Sequence, residues 1–251
     1  MSPARRAHDI LAGLCKSYLF EDLTPEEVGP LAAKATTREL VRGERLCSLG
    51  DRADEIWVVL SGEVKDSVVD AEGFEVIHFV HGPGMTLGEP GFFAVEHTRI
   101  VEVVAIEAST VIRLDRRDLV PFMARYPQVK DRVLEALASN TRWQTTMISS
   151  TARRPLTDRL LLRLLELAES SRERHSGAAM TPKISQSTLA AMVGVSRENV
   201  NRALSELTSD GSIRQEGGRY VLLDEERLRR EVARDWPLAG RRDRRALPPD
   251  R

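Results

Sequence analysis

The sequence predicts an α+β fold in three parts, and three observations support this prediction. Short apolar segments separated by glycines run from Arg38 to Leu114, which is typical of a small antiparallel β-barrel or roll. A stretch without glycine or proline from about Gln128 to Ser150 indicates one long helix. Near the C-terminus, two short helical segments followed by two strands around Glu-Gly-Gly indicate a winged helix-turn-helix.

Two helices are expected before the strands. One covers residues 10–14, and the other begins at an N-cap, Thr24, with Pro25 in its first helical position. Pro30 should shorten or kink this second helix, because proline lacks the amide hydrogen that a helix interior uses. A further short helix is expected after the strands, over residues 116–126.

The long helix carries an apolar seam that polar residues interrupt. Its apolar positions recur at helical spacing: Val133, Leu134, Leu137 and Ile148. Four polar residues break the seam midway: Asn140, Thr141, Gln144 and Thr145. Such a break has two explanations, which are register control in a pair of packed helices and a ligand that reaches the seam.

A second domain is expected after a hinge at residues 153–155. It opens with a leucine-rich helix over residues 157–170, which should be buried. A polar loop over residues 171–181 follows and is interpreted as a solvated connection. A short helix with Ser185 as its N-cap then ends at Gly194, where the chain turns.

The helix after this turn is the candidate DNA-reading element. Ser196 caps it, and it continues to about Ser209. Its apolar positions should pack against the preceding helix, with small Ala190 and Gly194 permitting a close approach. The exposed face then presents four side chains: Arg197, Glu198, Asn201 and Arg202.

These side chains suit base recognition in the major groove. Arginine can hold guanine O6 and N7 with two hydrogen bonds, and glutamate can accept from cytosine N4. Ser196 and Asn199, at the positive end of the helix dipole, suit a phosphate. The strands over residues 213–222 are interpreted as a wing. Double-stranded DNA is the predicted partner, and the alternative is a winged helix that binds a protein.

Composition limits the class of protein but does not assign its function. The 251 residues are 41% hydrophobic and 30% charged, which is ordinary for a globular protein. No apolar run is long enough for a membrane span and no leader peptide is apparent, so a cytoplasmic protein with no membrane partner is expected. Two cysteines, Cys15 and Cys47, are too few for an iron–sulfur cluster within one chain.

Two motifs resemble the cyclic-AMP receptor protein and fumarate-nitrate regulator family of transcription regulators. They are Val195 to Arg202 and Leu87 to Phe93. The resemblance implies a cyclic-nucleotide-binding-like β-roll, a long dimerisation helix and a C-terminal winged helix that reads a palindromic TGTGA-type site. It also implies a homodimer and a contact with RNA polymerase. Gln186 replaces an arginine that often contacts phosphate in this family.

The expected domain boundaries follow from the elements and the resemblance together. Residues 1–126 form the β-roll effector domain with its flanking helices, and residues 127–152 form the dimerisation helix. Residues 153–223 form the winged helix-turn-helix, and residues 224–251 form a C-terminal tail that begins with a short helix.

The resemblance further implies a cyclic AMP site. Gly88 and Glu89 match the family's Gly-Glu pair, and Arg99 matches the arginine ten residues beyond it. A ribose hydroxyl would bond Glu89, and the cyclic phosphate would pair with Arg99. The next position, Ile100, offers the phosphate only its backbone N–H. Adenine contacts are implied on the long helix: Gln144 and Thr145.

Other interpretations of the roll remain open. Glu89 and Arg99 can form an ion pair in a roll that binds nothing, and the regulator can act without cyclic nucleotide or sense another signal. His78 and His81 can be read as ligands in a cupin-like metal enzyme or as a haem site. Side chains three residues apart on a strand point to opposite faces, so no metal and no enzyme are predicted.

Overall fold

A computed structural model describes residues 3–69, 75–171, 174–175 and 178–234 of the chain. They divide into two compact units. One comprises residues 3–68 and 78–140, and the other comprises residues 69, 75–77 and the described part of 141–234. The end of the predicted C-terminal tail, residues 235–251, lies outside the described residues.

The first unit begins with two helices, α1 (Pro3–Cys15) and α2 (Pro25–Ala32), separated by a 3₁₀ turn. The expected cap of α2 is confirmed: the Thr24 side chain accepts from the Glu27 amide, and the Glu27 carboxylate accepts from the Thr24 amide. Pro30 lies inside this helix, which is only eight residues long.

Among the described residues, eight strands follow and form two four-stranded sheets, as the glycine-separated segments predict. The sheet orders are β1-β8-β3-β6 and β2-β7-β4-β5. The strands are β1 (Thr36–Leu40), β2 (Arg45–Cys47), β3 (Glu55–Ser61), β4 (Val64–Val69), β5 (Glu75–His81), β6 (Thr86–Leu87), β7 (Glu102–Ala105) and β8 (Ser109–Asp115). A short helix, α3 (Glu89–Phe93), connects β6 to β7.

Strand β3 has a core on each of its faces. Ile56 and Val58 pack in a cluster with the helices, whereas Trp57 and Val59 pack in a cluster with residues of the opposite sheet. This division follows from the two-residue period of a strand, in which successive side chains point to opposite faces. Burial on both faces agrees with the position of β3 inside its sheet, between β8 and β6.

Two helices complete this part of the chain, α4 (Arg116–Arg125) and α5 (Pro127–Arg153). The expected single apolar seam of α5 is divided in the structure. Val133 is buried and Leu137 packs against the helical core, but Leu134 is 55% exposed. The side chain of Ile148 lies outside the described residues.

Besides the end of α5 and residues 69 and 75–77, the described part of the second unit contains four helices and two small hairpins. The helices are α6 (Leu156–Ser171), α7 (Gln186–Val193), α8 (Arg197–Ser209) and α9 (Glu225–Arg234). The hairpin strands are β9 (Arg174–His175), β10 (Ala178–Ala179), β11 (Ile213–Glu216) and β12 (Arg219–Leu222).

The prediction that residues 171–181 form a solvated loop is wrong. Strands β9 and β10 pair within this segment, and Met180 forms a β-bridge with Val221 on β12. Six leucines of α6, at positions 160, 161, 162, 164, 165 and 167, are buried, as their density predicts. No helix in the described ranges is both long enough and apolar enough to cross a membrane.

Candidate nucleic-acid interface and ligand pocket

The helix-turn-helix begins with two capped helices. The Ser185 hydroxyl accepts from the Thr188 amide at 3.0 Å, and the Ser196 hydroxyl accepts from the Asn199 amide at 3.3 Å. Both expected N-caps are therefore confirmed.

Gly194 ends α7 in the left-handed region, at φ +67°. A Cβ at this position would meet nothing within 4 Å, so the expectation that Gly194 permits a close helix approach is wrong. Glycine is favoured here by the turn itself, since other L-residues rarely adopt this backbone conformation.

The expected interior of the helix-turn-helix is buried with one exception. Six positions of α7 and α8 are no more than 6% exposed: Leu189, Ala190, Val193, Val200, Leu204 and Leu207. Val195, in the turn, is only half-buried. The packed apolar face fixes which side of α8 is turned to solvent.

That exposed side carries the predicted base-reading residues. Arg197, Glu198, Asn201 and Arg202 are all exposed, as are the phosphate candidates Ser196 and Asn199. Among the residues that the structure describes, the side chains of Arg197, Glu198 and Arg202 make no hydrogen bond or ion pair. Charged groups in this state need no internal bond to be broken before they bind DNA.

Gln186 is held differently from the other candidates. It is half-buried, and its Nε2 donates to Asn201 Oδ1 at 3.3 Å. It also hydrogen-bonds the hydroxyl of Tyr220, whose pKa is raised chiefly by burial. Gln186 therefore ties the start of α7 to the exposed face of α8 and to strand β12.

The hairpin β11–β12 has the geometry of a wing. Gly217 and Gly218 both have positive φ, 57° and 83°, as a type I′ turn requires. Lys183, which sequence reasoning did not single out, is exposed and lies against this turn. A Cβ on Gly218 would be 3.3 Å from its side chain. A single lysine two residues before a helix cap does not predict a contact with the wing, so the sequence alone gives no sign of this position of Lys183.

In the first unit, Gly88 and Arg99 meet at the start of α3. Gly88 has φ +97°, and a Cβ there would lie 2.5 Å from Arg99 Nη1 and 3.3 Å from the ring of Trp57. Both the backbone conformation and the available space therefore require glycine.

Arg99 is a buried cation, with 3% of its surface exposed. Its guanidinium carbon lies 3.9 Å from the centroid of the Trp57 ring. Nη1 donates to the Gly88 carbonyl at 3.3 Å, and Nη2 donates to the Glu55 carbonyl at 2.7 Å. Burial lowers the pKa of Arg99, but a guanidinium remains charged at neutral pH.

Glu55 supplies the carboxylate at ion-pair distance from Arg99, 3.5 Å from Nη2, and Glu89 acts on Arg99 electrostatically from farther away. The alternative of a Glu89–Arg99 ion pair is therefore wrong. Glu89 is 5% exposed, and burial raises its pKa. The Thr86 side chain and the Glu89 backbone hydrogen-bond its carboxylate, and His81 and Asp66 also act on it electrostatically.

The remaining ligand candidates are exposed. Ile100 exposes 51% of its surface and has no hydroxyl to offer. Gln144 and Thr145 are exposed on the part of α5 that belongs to the second unit, and the Thr145 hydroxyl donates to the Thr141 carbonyl at 2.9 Å. The structure therefore brings together Gly88, Glu89 and Arg99 in the first unit.

The histidines of β5 gather no metal-binding set. His81 Nε2 lies 3.3 Å from Asp66 Oδ2, but neither ring nitrogen makes a hydrogen bond in the described structure. His78 is more exposed than His81, as expected for side chains three residues apart. No group of three or more His, Cys, Asp or Glu among the described residues could hold a metal ion.

Comparison with known proteins follows the same division of the chain. Residues 37–126 match the cyclic nucleotide-binding domain, and residues 158–231 match the Crp-like helix-turn-helix domain.

Two relatives are transcription regulators and not enzymes. The CRP-like cAMP-activated global transcriptional regulator of Mycobacterium tuberculosis is 28% identical over 87% of this chain and 98% of its own. The transcriptional regulator SdrP of Thermus thermophilus is 30% identical over 68% of this chain and 80% of its own. A solved structure, the c-di-GMP responsive global regulator CLP of Xanthomonas campestris, aligns with TM-score 0.68 and 23% identity. The alignment covers 80% of this chain and 100% of the CLP chain.

Proposed function

The chain belongs to the cyclic-AMP receptor protein and fumarate-nitrate regulator family of DNA-binding transcription regulators, and we propose that cyclic AMP controls its binding to DNA. In this proposal a homodimer binds a palindromic TGTGA-type site. Residues 1–126 receive the effector, residues 127–152 dimerise, and residues 153–223 bind DNA. The proposal also includes a contact with RNA polymerase. It includes a cytoplasmic location, because a bacterial-type regulator of this family acts where transcription takes place.

The DNA contacts are proposed from the exposed face of α8. Arg197 and Arg202 would pair with guanine, and Glu198 would accept from cytosine. Asn201 would contact the same groove, in an orientation that its bond to Gln186 fixes. Ser196 and Asn199, at the positive end of the helix dipole, would receive a phosphate.

The homodimer is proposed from the surface of α5. Leu134 is 55% exposed, although it lies on a helix whose neighbouring apolar residues are buried. Exposed residues continue from it at intervals of four, three and four: Ala138, Thr141 and Thr145. This is the spacing with which a helix pairs with a second copy of itself. A parallel or crossing pair would also set two recognition helices for a palindrome.

The cyclic AMP site is proposed from one observation, the buried Arg99 beside Gly88. The Arg99 guanidinium is buried, and the missing side chain of Gly88 leaves space next to it. A buried cation beside such a space suits the cyclic phosphate. Its Nε is buried with no hydrogen-bond partner in the described structure, so a donor is left over for a ligand oxygen.

The other ligand contacts are proposed around that arginine. The ribose hydroxyl would bond Glu89, and the Ile100 amide would face the phosphate. Adenine would contact Gln144 and Thr145. A nucleotide held in this way would bias the packing of the paired helices and so the spacing of the recognition helices.

Fluorescence anisotropy with a labelled TGTGA palindrome, with and without cyclic AMP, tests the proposal. Wild-type protein should bind more tightly with the nucleotide, and Arg99→Ala should lose that response while Arg117→Ala, at an exposed position, keeps it. Cyclic di-GMP serves as a second effector, since the CLP regulator responds to it. Specific binding that no nucleotide changes would leave a regulator of another signal, and the absence of specific, salt-dependent binding would contradict the DNA proposal.

A further inference from the structure

We propose that Glu55 is a built-in counter-ion of Arg99 that an anionic ligand must displace, and that Arg113 receives the displaced carboxylate. The inference rests on the proposed ligand site and adds a residue that determines its affinity. The ligand class is a phosphodiester or another small anion, because only an anion can take the place of a carboxylate beside a buried guanidinium.

The first observation is that Glu55 holds Arg99 in two ways. Its backbone carbonyl accepts from Nη2 at 2.7 Å, while its carboxylate Oε1 lies farther from the same atom, at 3.5 Å. The backbone contact belongs to strand β3 and is fixed. The carboxylate is at the outer limit of hydrogen-bond distance and can move by side-chain rotation alone.

The second observation is that another cation, Arg113 on strand β8, lies close to the Glu55 carboxylate. Glu55 Oε2 lies 3.7 Å from Arg113 Nη2. Arg113 is opposite Trp57 in the β3–β8 register, with its side chain 45% exposed. It also pairs with Asp115 at 2.9 Å, which keeps its guanidinium near Glu55. The carboxylate therefore lies between one buried and one exposed arginine.

Charge balance allows the exchange in both directions. Without a ligand, the carboxylate of Glu55 neutralises Arg99, which has only 3% of its side chain exposed and cannot be left unpaired. With a ligand, the phosphate neutralises Arg99 and the carboxylate turns to Arg113. Each buried charge keeps a partner, and the cost of displacement appears as a lower ligand affinity.

Isothermal titration of the full chain with cyclic AMP tests the inference with four proteins. Glu55→Gln should bind about tenfold more tightly than wild type, because the competing charge is removed. Arg113→Gln should bind about threefold more weakly, because the displaced carboxylate loses its second partner. The matched control is Arg117→Gln. The Arg117 side chain is 82% exposed and pairs with Asp115 and Asp118 but not with Glu55, so this variant should bind as wild type does.

Equal affinities of wild type and Glu55→Gln would overturn the inference. If Glu55→Gln fails to fold, Arg113→Gln decides, and unchanged affinity in that variant would overturn it. Thermal unfolding with inorganic phosphate at constant ionic strength separates this inference from the cyclic AMP proposal. If cyclic AMP binds none of the proteins but phosphate stabilises Glu55→Gln more than wild type, the counter-ion inference holds and the cyclic AMP proposal fails. No difference with phosphate either would overturn both.

Discussion

Trp143 and Glu166 are joined by a 2.7 Å hydrogen bond, in which the indole Nε1–H donates to the carboxylate. Arg163 completes the group: its guanidinium lies 4.5 Å from the Trp143 ring and 3.3 Å from Glu166, and its Nε donates to the Met192 carbonyl at 3.2 Å. One cluster in the second unit thus connects α5, α6 and the end of α7. That end is followed directly by the turn to the recognition helix.

We expect Trp143→Phe to lower the free energy of unfolding of the second unit by about 1–3 kcal/mol, because a hydrogen bond to a charged group is lost. Urea denaturation followed by circular dichroism measures the change. Asn140→Ala, at an exposed position of the same helix, is the control and should have little effect. Equal losses in the two variants would show that the hydrogen bond adds no stability.

Arg197→Ala and Arg202→Ala should each weaken binding to the TGTGA palindrome more than tenfold. A base contact by arginine contributes about 1–3 kcal/mol of discrimination, and the proposed homodimer would lose two contacts for each substitution. Anisotropy at fixed salt measures the affinity. Ser209→Ala, at the exposed end of α8, should bind as wild type does. Wild-type affinity in both arginine variants would mean that another face of the protein binds DNA.

Gln186→Arg should make DNA binding more sensitive to salt. Each new phosphate contact steepens the slope of log K against log[salt] by about one, so a dimer should gain about two. Gln186→Met separates the added charge from the loss of the Gln186–Asn201 bond, and its slope should equal that of wild type. If the arginine and methionine variants have the same slope, the side chain at position 186 does not reach a phosphate.

Local sequence signals were sufficient for the helix-turn-helix. Ser185 and Ser196 cap their helices through amides only three residues away, so a short window of sequence contains the whole interaction. The same holds for the capping box at Thr24. Glycine pairs likewise mark the wing turn, because few other residues adopt its backbone conformation.

The surroundings of Arg99 could not be predicted in that way. Glu55 is 44 positions from Arg99 in the chain, and only the folding of the roll brings them together. The family motif points instead to Glu89, whose carboxylate the Thr86 side chain hydrogen-bonds in the structure. The hairpin in residues 171–181 was missed because its strands have two residues each, too few for an alternating pattern.

Glu89 should make the protein less stable as the pH rises. Burial raises the pKa of its carboxyl, so the folded protein binds this proton more tightly than the unfolded chain does. Its contribution to stability is complete below the unfolded pKa, about 4.3, and is lost as the pH rises through the folded pKa. Urea denaturation over a pH series measures this, and Glu89→Gln should flatten the decline. A decline of the same size in the variant would assign it to other groups.

Cys47 should resist alkylation in the native protein. Its side chain is buried, and burial raises its pKa to about 11, outweighing the nearby charge of Arg99, which acts to lower it. At pH 8 only about one thiol in a thousand would then be ionised, and the thiolate is the reactive form. Iodoacetamide labelling followed by mass spectrometry should modify Cys47 only after denaturation. Cys15, which is less buried, is the internal comparison, and its pKa is also raised. Rapid labelling of native Cys47 would mean that the roll opens beside Arg99, since burial is what suppresses the thiolate there.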